Sequence, residues 1–117
     1  MGLSTHVLDT MHGTPAAGMA VSFYTTAGTS ATLVQRFQLN SDGRHPAGLL
    51  LDSATLKAGT YRLVFDVVGY FKAHGVTLPE PAFLNQVSLD FGVADTSQHY
   101  HVPLLVSPWS YSTYRGS

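Results

Sequence analysis

The chain has 117 residues, a formal net charge of −1 and no cysteine. This length corresponds to a single domain over residues 1–117, large enough to bury a core without a disulfide or a structural metal. The lack of cysteine excludes disulfide frameworks and thiolate metal sites. A charge near zero gives no electrostatic footprint for nucleic acid or an anionic membrane, so we expect a small-molecule or protein partner.

Two further features of the composition bear on assembly and location. Charged residues make up 11% of the chain, whereas about 25% is typical of a soluble domain. So few charges solvate an isolated monomer poorly, and we therefore expect part of the surface to be buried in an oligomer. The sequence shows no run of about 20 apolar residues and no signal-peptide pattern, so no transmembrane helix is expected and the cytoplasm is the default location.

Short segments of apolar–polar alternation or β-rich composition predict strands along most of the chain. They cover residues 3–9, 19–25, 32–39, 59–68, 86–93, 99–106 and 111–115. Residues 32–39 alternate regularly enough to predict a half-buried strand. Seven or eight short strands at this spacing predict an all-β, two-sheet antiparallel sandwich.

One short helix is predicted between these strands. It covers residues 70–74, with Phe71 facing the sheet and Gly75 ending the helix. A tight turn at residues 40–43 is also predicted, because Asn and Asp cap their own backbone and Gly43 tolerates a positive φ.

Several side chains have a chemistry or a position that a purely structural domain does not require. His99 and His101 are two residues apart on a predicted strand, so both imidazoles point to one face. His6 lies between apolar neighbours near the start of the chain, and Arg44 follows the predicted turn. The aromatic residues of segment 109–114 predict that the C-terminal tail docks on the fold, because frayed ends are usually small and polar.

Each of these residues also has a plain structural interpretation. His6 alone is more often a hydrogen-bonded strand residue than a catalyst, and Arg44 alone is most often a solvated turn residue. The spacing of the paired histidines occurs in metal sites, catalytic pairs and ordinary surface strands. Gly116 and Ser117 are compatible with a cloning remnant. The other histidines are expected to be exposed loop residues: His12, His45 and His74.

Five motifs decide between these interpretations. They are residues 3–10 (LSTHVLDT), 42–44 (DGR), 59–61 (GTY), 70–71 (YF) and the stretch from 99 to 117, which contains HYHVPLL, SP and YSTYRGS. On these motifs the chain resembles the 5-hydroxyisourate hydrolase family, the transthyretin-like enzymes of urate breakdown, over essentially its whole length. The closing tetrapeptide separates these hydrolases from the transthyretin hormone carriers. No motif position departs from the family pattern, which argues against a cloning remnant.

The resemblance implies a fold, an assembly and a reaction. The fold is a transthyretin-like sandwich of seven or eight strands with one short helix, and the assembly is a homotetramer with active sites in the channel between dimers. The reaction is hydrolysis of 5-hydroxyisourate at its N1–C6 amide bond to 2-oxo-4-hydroxy-4-carboxy-5-ureidoimidazoline, with no cofactor and no metal. The implied catalytic residues are His6, Arg44, His101 and Ser117, and the implied substrate-binding residues are His6, Arg44 and Tyr114.

The chemistry of each side chain suggests its role. Attack of water on an amide carbonyl needs a base near neutral pH, and imidazole has an ordinary pKa of about 6.5. We take His101 as the first choice for this base and His6 as the residue that orients the water. Arg44 can stabilise the oxyanion and hold ring oxygens of the substrate. Tyr114 can donate a hydrogen bond, while Ser117 offers a hydroxyl and a terminal carboxylate that Arg115 would neutralise.

Two alternatives stay open at this point. Three histidines could bind a catalytic zinc ion, although Arg44 beside such a site would repel it. The chain could also be a small-ligand carrier with the same fold, although His6, Arg44 and His101 predict a wet, cationic pocket instead of apolar walls. A serine nucleophile is not supported, because the sequence has no nucleophile-elbow pattern.

Overall fold

The computed structural model describes residues 2–117, which form two β-sheets and one short helix. The predicted all-β, two-sheet sandwich is confirmed. No helix in residues 2–117 is long and apolar enough to cross a membrane. In chain order the elements are β1 (Gly2–Asp9), β2 (Thr14–Pro15), β3 (Ala20–Ala27), β4 (Ser30–Gln38), β5 (Leu51–Asp52), β6 (Gly59–Phe65), α1 (Val67–Ala73), β7 (Val87–Val93), β8 (Tyr100–Val106) and β9 (Tyr111–Thr113).

The first sheet has the order β2-β1-β8-β9, with β5 also paired to β1, and the second has the order β4-β3-β6-β7. All pairs are antiparallel except β1 and β8, which run parallel from Leu3 opposite Tyr100 to Asp9 opposite Val106. The prediction of a wholly antiparallel sandwich is corrected at this one pair. Alternation within a strand does not encode the direction of its neighbour, and a parallel pair only requires a long connection, which the rest of the chain supplies.

The alternation of β1 and β8 divides their side chains between the core and the outer face of the first sheet. Leu3, Val7 and Leu104 are fully buried between the sheets. Residues an odd number of positions away from them along the same strand therefore point to the opposite, outer face. His6 on β1 and His101 on β8 are among these, and both are partly exposed. The core pattern of two strands thus sets the direction of both imidazoles.

The junction between β6 and α1 differs from the prediction. The strand ends at Phe65 instead of residue 68, and the helix begins at Val67 instead of residue 70. The cause is Asp66, whose side chain accepts a hydrogen bond from the amide of Gly69 and so caps the helix. Phe71 is fully buried and Gly75 has a φ of 79° just after the helix, which confirms the predicted facing residue and stop.

Strand β4 is more exposed than its alternation predicts. Leu33 and Val34 are 42% and 45% exposed, because β4 lies at the edge of its sheet and the pairing with β3 shifts register after Phe23. The two-residue strands β2 and β5 are not predicted, since segments this short carry no periodicity. His45 is partly buried, not exposed, and its imidazole hydrogen bonds to Gln35 at 2.9 Å.

A buried carboxylate anchors the end of β1 to the helix. Asp9 is fully buried and accepts hydrogen bonds from the hydroxyl of Tyr70 at 2.8 Å and from the backbone and ring of His12 at 3.0 and 2.6 Å. Burial on its own raises the pKa of Asp9, but these hydrogen bonds together outweigh it and hold that pKa below its ordinary value. The carboxylate therefore contributes stability at neutral pH, and the contribution is lost as the pH falls through the lowered pKa.

We expect Asp9→Ala to lower the free energy of unfolding by about 1–3 kcal/mol, because it leaves buried polar partners unpaired. Urea unfolding at one fixed protein concentration measures the change. The matched control is Asp90→Ala, which removes an exposed ion pair with Arg62 and should cost clearly less, because exposed ion pairs are screened by solvent. Equal losses in both variants would show that the buried network of Asp9 contributes no more to the free energy of unfolding than an exposed ion pair does.

Candidate functional site

The parallel pairing of β1 and β8 brings His6 and His101 together, although they lie at opposite ends of the sequence. Their ring centroids are 6.5 Å apart and the ring planes are inclined by 35°. Both side chains point to the outer face of the first sheet, where each remains partly exposed. Two imidazoles at this spacing leave room for a water or a small ligand to contact both rings.

Arg44 joins this pair because its loop docks on β1. Asn40 accepts hydrogen bonds from the amides of Asp42 and Arg44 through its side-chain oxygen, at 2.9 and 3.1 Å, which closes the predicted turn. Gly43 has a φ of 73°, and its carbonyl accepts a hydrogen bond of 2.9 Å from the amide of Val7. A Cβ on Gly43 would approach the Val7 carbonyl oxygen to 2.5 Å, so glycine is required there. The backbone thereby places Arg44 directly opposite His6.

The C-terminal tail docks beside His101, as predicted. The amide of Gly116 donates to the carbonyl of His101 at 2.7 Å, and the amide of His101 donates to the carbonyl of Gly116 at 3.3 Å. A Cβ on Gly116 would come within 3.0 Å of the His101 ring, so any other residue at that position would require this ring to shift by a few tenths of an ångström. The strand β9 itself ends at Thr113, two residues earlier than predicted, and the tail continues as an irregular segment.

Arg115 has a different role from the expected one. Its guanidinium donates hydrogen bonds to the side chain of Gln98 at 3.0 Å and to the carbonyl of His99 at 3.1 Å. It also lies 4.4 Å from the ring centroid of Tyr100. These contacts fasten the tail to the start of β8. These contacts give Arg115 a structural role in holding the tail, instead of the expected role of neutralising the terminal carboxylate.

The structure brings three of the predicted site residues together, and the other two lie on the docked tail. His6, Arg44 and His101 form one cluster. Tyr114 and Ser117 lie on the docked tail, and both side chains are exposed, that of Tyr114 by 62%. Tyr114 lines a groove with Tyr100 and Val102, whose side chains point to the opposite side of β8 from His101, so the single chain does not bring Tyr114 to the cluster.

Ser4 belongs to the site but was not singled out from the sequence. Its hydroxyl lies 2.7 Å from Nδ1 of His101 and 3.1 Å from Nε2 of His99. The one available signal is its position two residues before His6, which puts both side chains on the same face of β1. The parallel register that sets Ser4 opposite His101 could not be read from the sequence.

The site keeps its imidazoles neutral near pH 7. Burial is the main cause of a lowered pKa at both His6 and His101, and the positive charge of Arg44 lowers both further. At His6 the backbone and charge of nearby Asp42 act in the opposite direction, but the net pKa is still lowered. A lowered pKa means that each ring has an unprotonated nitrogen at neutral pH. The neutral form is lost as the pH falls through these values.

Within residues 2–117, no group of three or more His, Cys, Asp or Glu side chains is arranged to hold a metal ion. The three histidines that the zinc alternative would need do not form such a group. His99 is held by the backbone of Gly2 and by Ser4, and its ring nitrogens are 3.1 Å from both partners.

We expect Arg44→Ala to raise the pKa of both His6 and His101, because the variant removes a positive charge that opposes their protonation. NMR titration of the imidazole carbon-bound protons measures the two values. Arg36→Ala on β4 is the matched control and should leave both unchanged. Unaltered titration of both rings in Arg44→Ala would show that the guanidinium does not act on them.

Comparison with known proteins places this chain in a family. The model of the HIUase/Transthyretin family matches residues 3–116. 5-Hydroxyisourate hydrolase of Ralstonia nicotianae is 53% identical over 115 residues, which is 98% of this chain and 97% of that protein. The solved structure of Klebsiella pneumoniae 5-hydroxyisourate hydrolase superposes with a TM-score of 0.78 at 31% identity and covers 100% of both chains.

Carriers of the same fold are similar at lower identity. Sea bream transthyretin in complex with thyroxine superposes with a TM-score of 0.84 at 28% identity, over 99% of this chain and 95% of that one. The fold alone is therefore shared by hydrolases and carriers, while the family model and the curated relative cover nearly the whole chain. The chain belongs to the HIUase/Transthyretin family.

Proposed function

We propose that this protein hydrolyses 5-hydroxyisourate to 2-oxo-4-hydroxy-4-carboxy-5-ureidoimidazoline. The chain is an enzyme, as its curated relatives with the name 5-hydroxyisourate hydrolase indicate. The observation that carries the proposed reaction is the convergence of His6, Arg44 and His101 on one sheet face. These three residues come from distant segments of the chain. Because they lie outside the core, packing of the core does not explain why they meet.

The proposed reaction needs only water and the side chains of this cluster. A water molecule adds to the C6 carbonyl of the substrate, and one imidazole of the His6–His101 pair takes its proton. The N1–C6 bond then breaks, the same imidazolium returns the proton to N1, and the product carries a new carboxyl group. The imidazole ends neutral, so the atoms and charges balance over one turnover. The lowered pKa of both rings supports this role, because a base must be unprotonated at the working pH.

Arg44 supplies the positive charge that this reaction requires. The carbonyl oxygen becomes anionic in the tetrahedral intermediate, and a guanidinium at a fixed position stabilises that charge without reorganisation. The docked turn at residues 40–43 fixes the backbone from which the Arg44 side chain extends. Metal ions are not required in this scheme, and activity that persists after prolonged chelation would support its metal-independent form.

We further propose that the working form is a homotetramer in which this face lines a channel. The low share of charged residues supports an oligomer, as do exposed apolar side chains on the single chain such as Phe83, Trp109 and Tyr114. Ser117 follows Gly116, which pairs with His101, and it faces solvent in one chain, so a second copy that covers this sheet face would enclose it with the substrate. A carrier of an apolar hormone needs no such polar, cationic lining, which favours the enzyme over the carrier.

The test is a spectroscopic assay in which urate oxidase generates the unstable substrate from urate. We expect the protein to accelerate loss of the intermediate well above its spontaneous decay. His101→Asn and Arg44→Ala should keep the oligomer but lose most of the activity, by about 10²–10³-fold for the guanidinium donor. The matched control is Arg36→Ala, which should behave as the parent. Parent-like turnover by both site variants would exclude these roles.

Deletion of residues 114–117 tests the tail separately. We expect kcat/KM to fall by at least about 10-fold, because the deletion removes the predicted substrate contacts of Tyr114 and Ser117 and uncovers one side of His101. Far-ultraviolet circular dichroism and size-exclusion chromatography check that the fold and assembly persist. A rate equal to that of the parent would assign the tail to the scaffold.

A further inference from the structure

A row of polar contacts runs from the backbone at the start of β1 to the ring of His101. The amide of Gly2 lies 3.1 Å from Nδ1 of His99, and Nε2 of His99 lies 3.1 Å from the hydroxyl of Ser4. The same hydroxyl lies 2.7 Å from Nδ1 of His101. The proposed chemistry involves neither Ser4 nor His99 directly.

The direction of every hydrogen bond in this row follows from its first member. A backbone amide can only donate, so Nδ1 of His99 must accept and carry no proton. A neutral imidazole then has its proton on Nε2, and His99 donates it to the oxygen of Ser4. The hydroxyl hydrogen of Ser4 is consequently directed to Nδ1 of His101. Since Nδ1 of His101 accepts, neutral His101 carries its proton on Nε2.

If neutral His101 carried its proton on Nδ1 instead, the hydrogen bonds of this row could not all form. A proton on Nδ1 of His101 would point at the Ser4 oxygen, which already receives the proton of His99. The Ser4 hydroxyl hydrogen would then lose the acceptor that it has in the row, in a side chain that is only 8% exposed. Buried hydroxyl groups are almost always paired, so this arrangement is unfavourable.

His6 lies outside this row of contacts. Burial and the positive charge of Arg44 lower its pKa, so the neutral ring prevails near pH 7. A neutral imidazole has one nitrogen without a proton, which can accept one. The two rings of the cluster thus differ, because the Ser4 hydroxyl occupies the acceptor nitrogen of His101, whereas the row occupies neither nitrogen of His6.

We propose that Ser4 and His99 are positioning residues that hold the proton of His101 on Nε2, so that His101 donates a hydrogen bond to the substrate carbonyl while His6 acts as the base. His6 takes the proton of the attacking water and returns it to N1, and His101 stays neutral throughout. A neutral imidazole can polarise a carbonyl in this way. This assignment rests on the proposed function and reverses the first choice of base made from the sequence.

The first test reads the proton positions directly and needs no substrate. Nitrogen-15 NMR of the imidazoles in the parent protein, above the titration range of His101, should show His101 as the Nε2–H form alone. Ser4→Ala should add a population of the Nδ1–H form, and Ser4→Thr should restore the parent signature because it keeps the hydroxyl. Ser88→Ala on β7 is the control and should change nothing. A parent protein with the proton of His101 on Nδ1 would overturn the inference.

The second test separates positioning from substrate binding. Ser4→Ala should lower kcat by at least about 10-fold with KM nearly unchanged, and Ser4→Thr should recover most of kcat. His101→Gln, which offers an N–H near the position of Nε2, should retain at least about 10-fold more kcat than His6→Gln, which removes the base. The assignment would be refuted if Ser4→Ala had the same kcat as the parent. It would also be refuted if His6→Gln had a higher kcat than His101→Gln. A parent protein with no activity on the substrate would instead refute the proposed function, while the NMR result would still report on the row.

Discussion

The parallel pairing of β1 with β8 is the interaction on which the site depends. It places strands from opposite ends of the chain side by side, with Leu3 opposite Tyr100 and Asp9 opposite Val106. Because side chains alternate along a strand, burial of Leu3, Val7 and Leu104 sends His6 and His101 to the same outer face. A shift of one residue in this register would turn one imidazole into the core. The hydrophobic pattern of the core thus specifies the geometry of the polar cluster.

The remaining parts of the cluster are fixed by backbone contacts. The turn at residues 40–43 hydrogen bonds to β1 through the Gly43 carbonyl, and the tail hydrogen bonds to β8 through Gly116. Both glycines allow a backbone approach that a Cβ would obstruct. The backbone of Arg44 and of the tail is consequently positioned by main-chain hydrogen bonds, to which the tail adds the Arg115 contacts. This arrangement suits electrostatic catalysis, in which charges must be in place before the reaction begins.

The sequence predicts the secondary-structure elements and the two-sheet architecture well, but it does not predict which strands pair or in which direction. Strand alternation, the turn at residues 40–43 and the stop at Gly75 are local signals, and the structure agrees with them apart from shifts of a few residues. The largest such shift arises at Asp66, where a helix cap competes with a strand pattern that continues to residue 68. Local patterns cannot reveal that β1 and β8 run parallel, because the direction of pairing depends on residues far apart in the chain. The same limit explains why His6, Arg44 and His101 required a family resemblance to be grouped, and why Ser4 was missed.

The parallel pairing also has a consequence for the order of events during folding. Its partners are about as far apart in sequence as this chain allows, and contacts of such long range form slowly because a large loop must close. During synthesis on the ribosome, β1 emerges long before β8, and its hydrogen-bonding groups on the β8 side have no partner in the meantime. A nascent chain can therefore complete its second sheet while the first is still open. The two imidazoles meet only after β8 has been made.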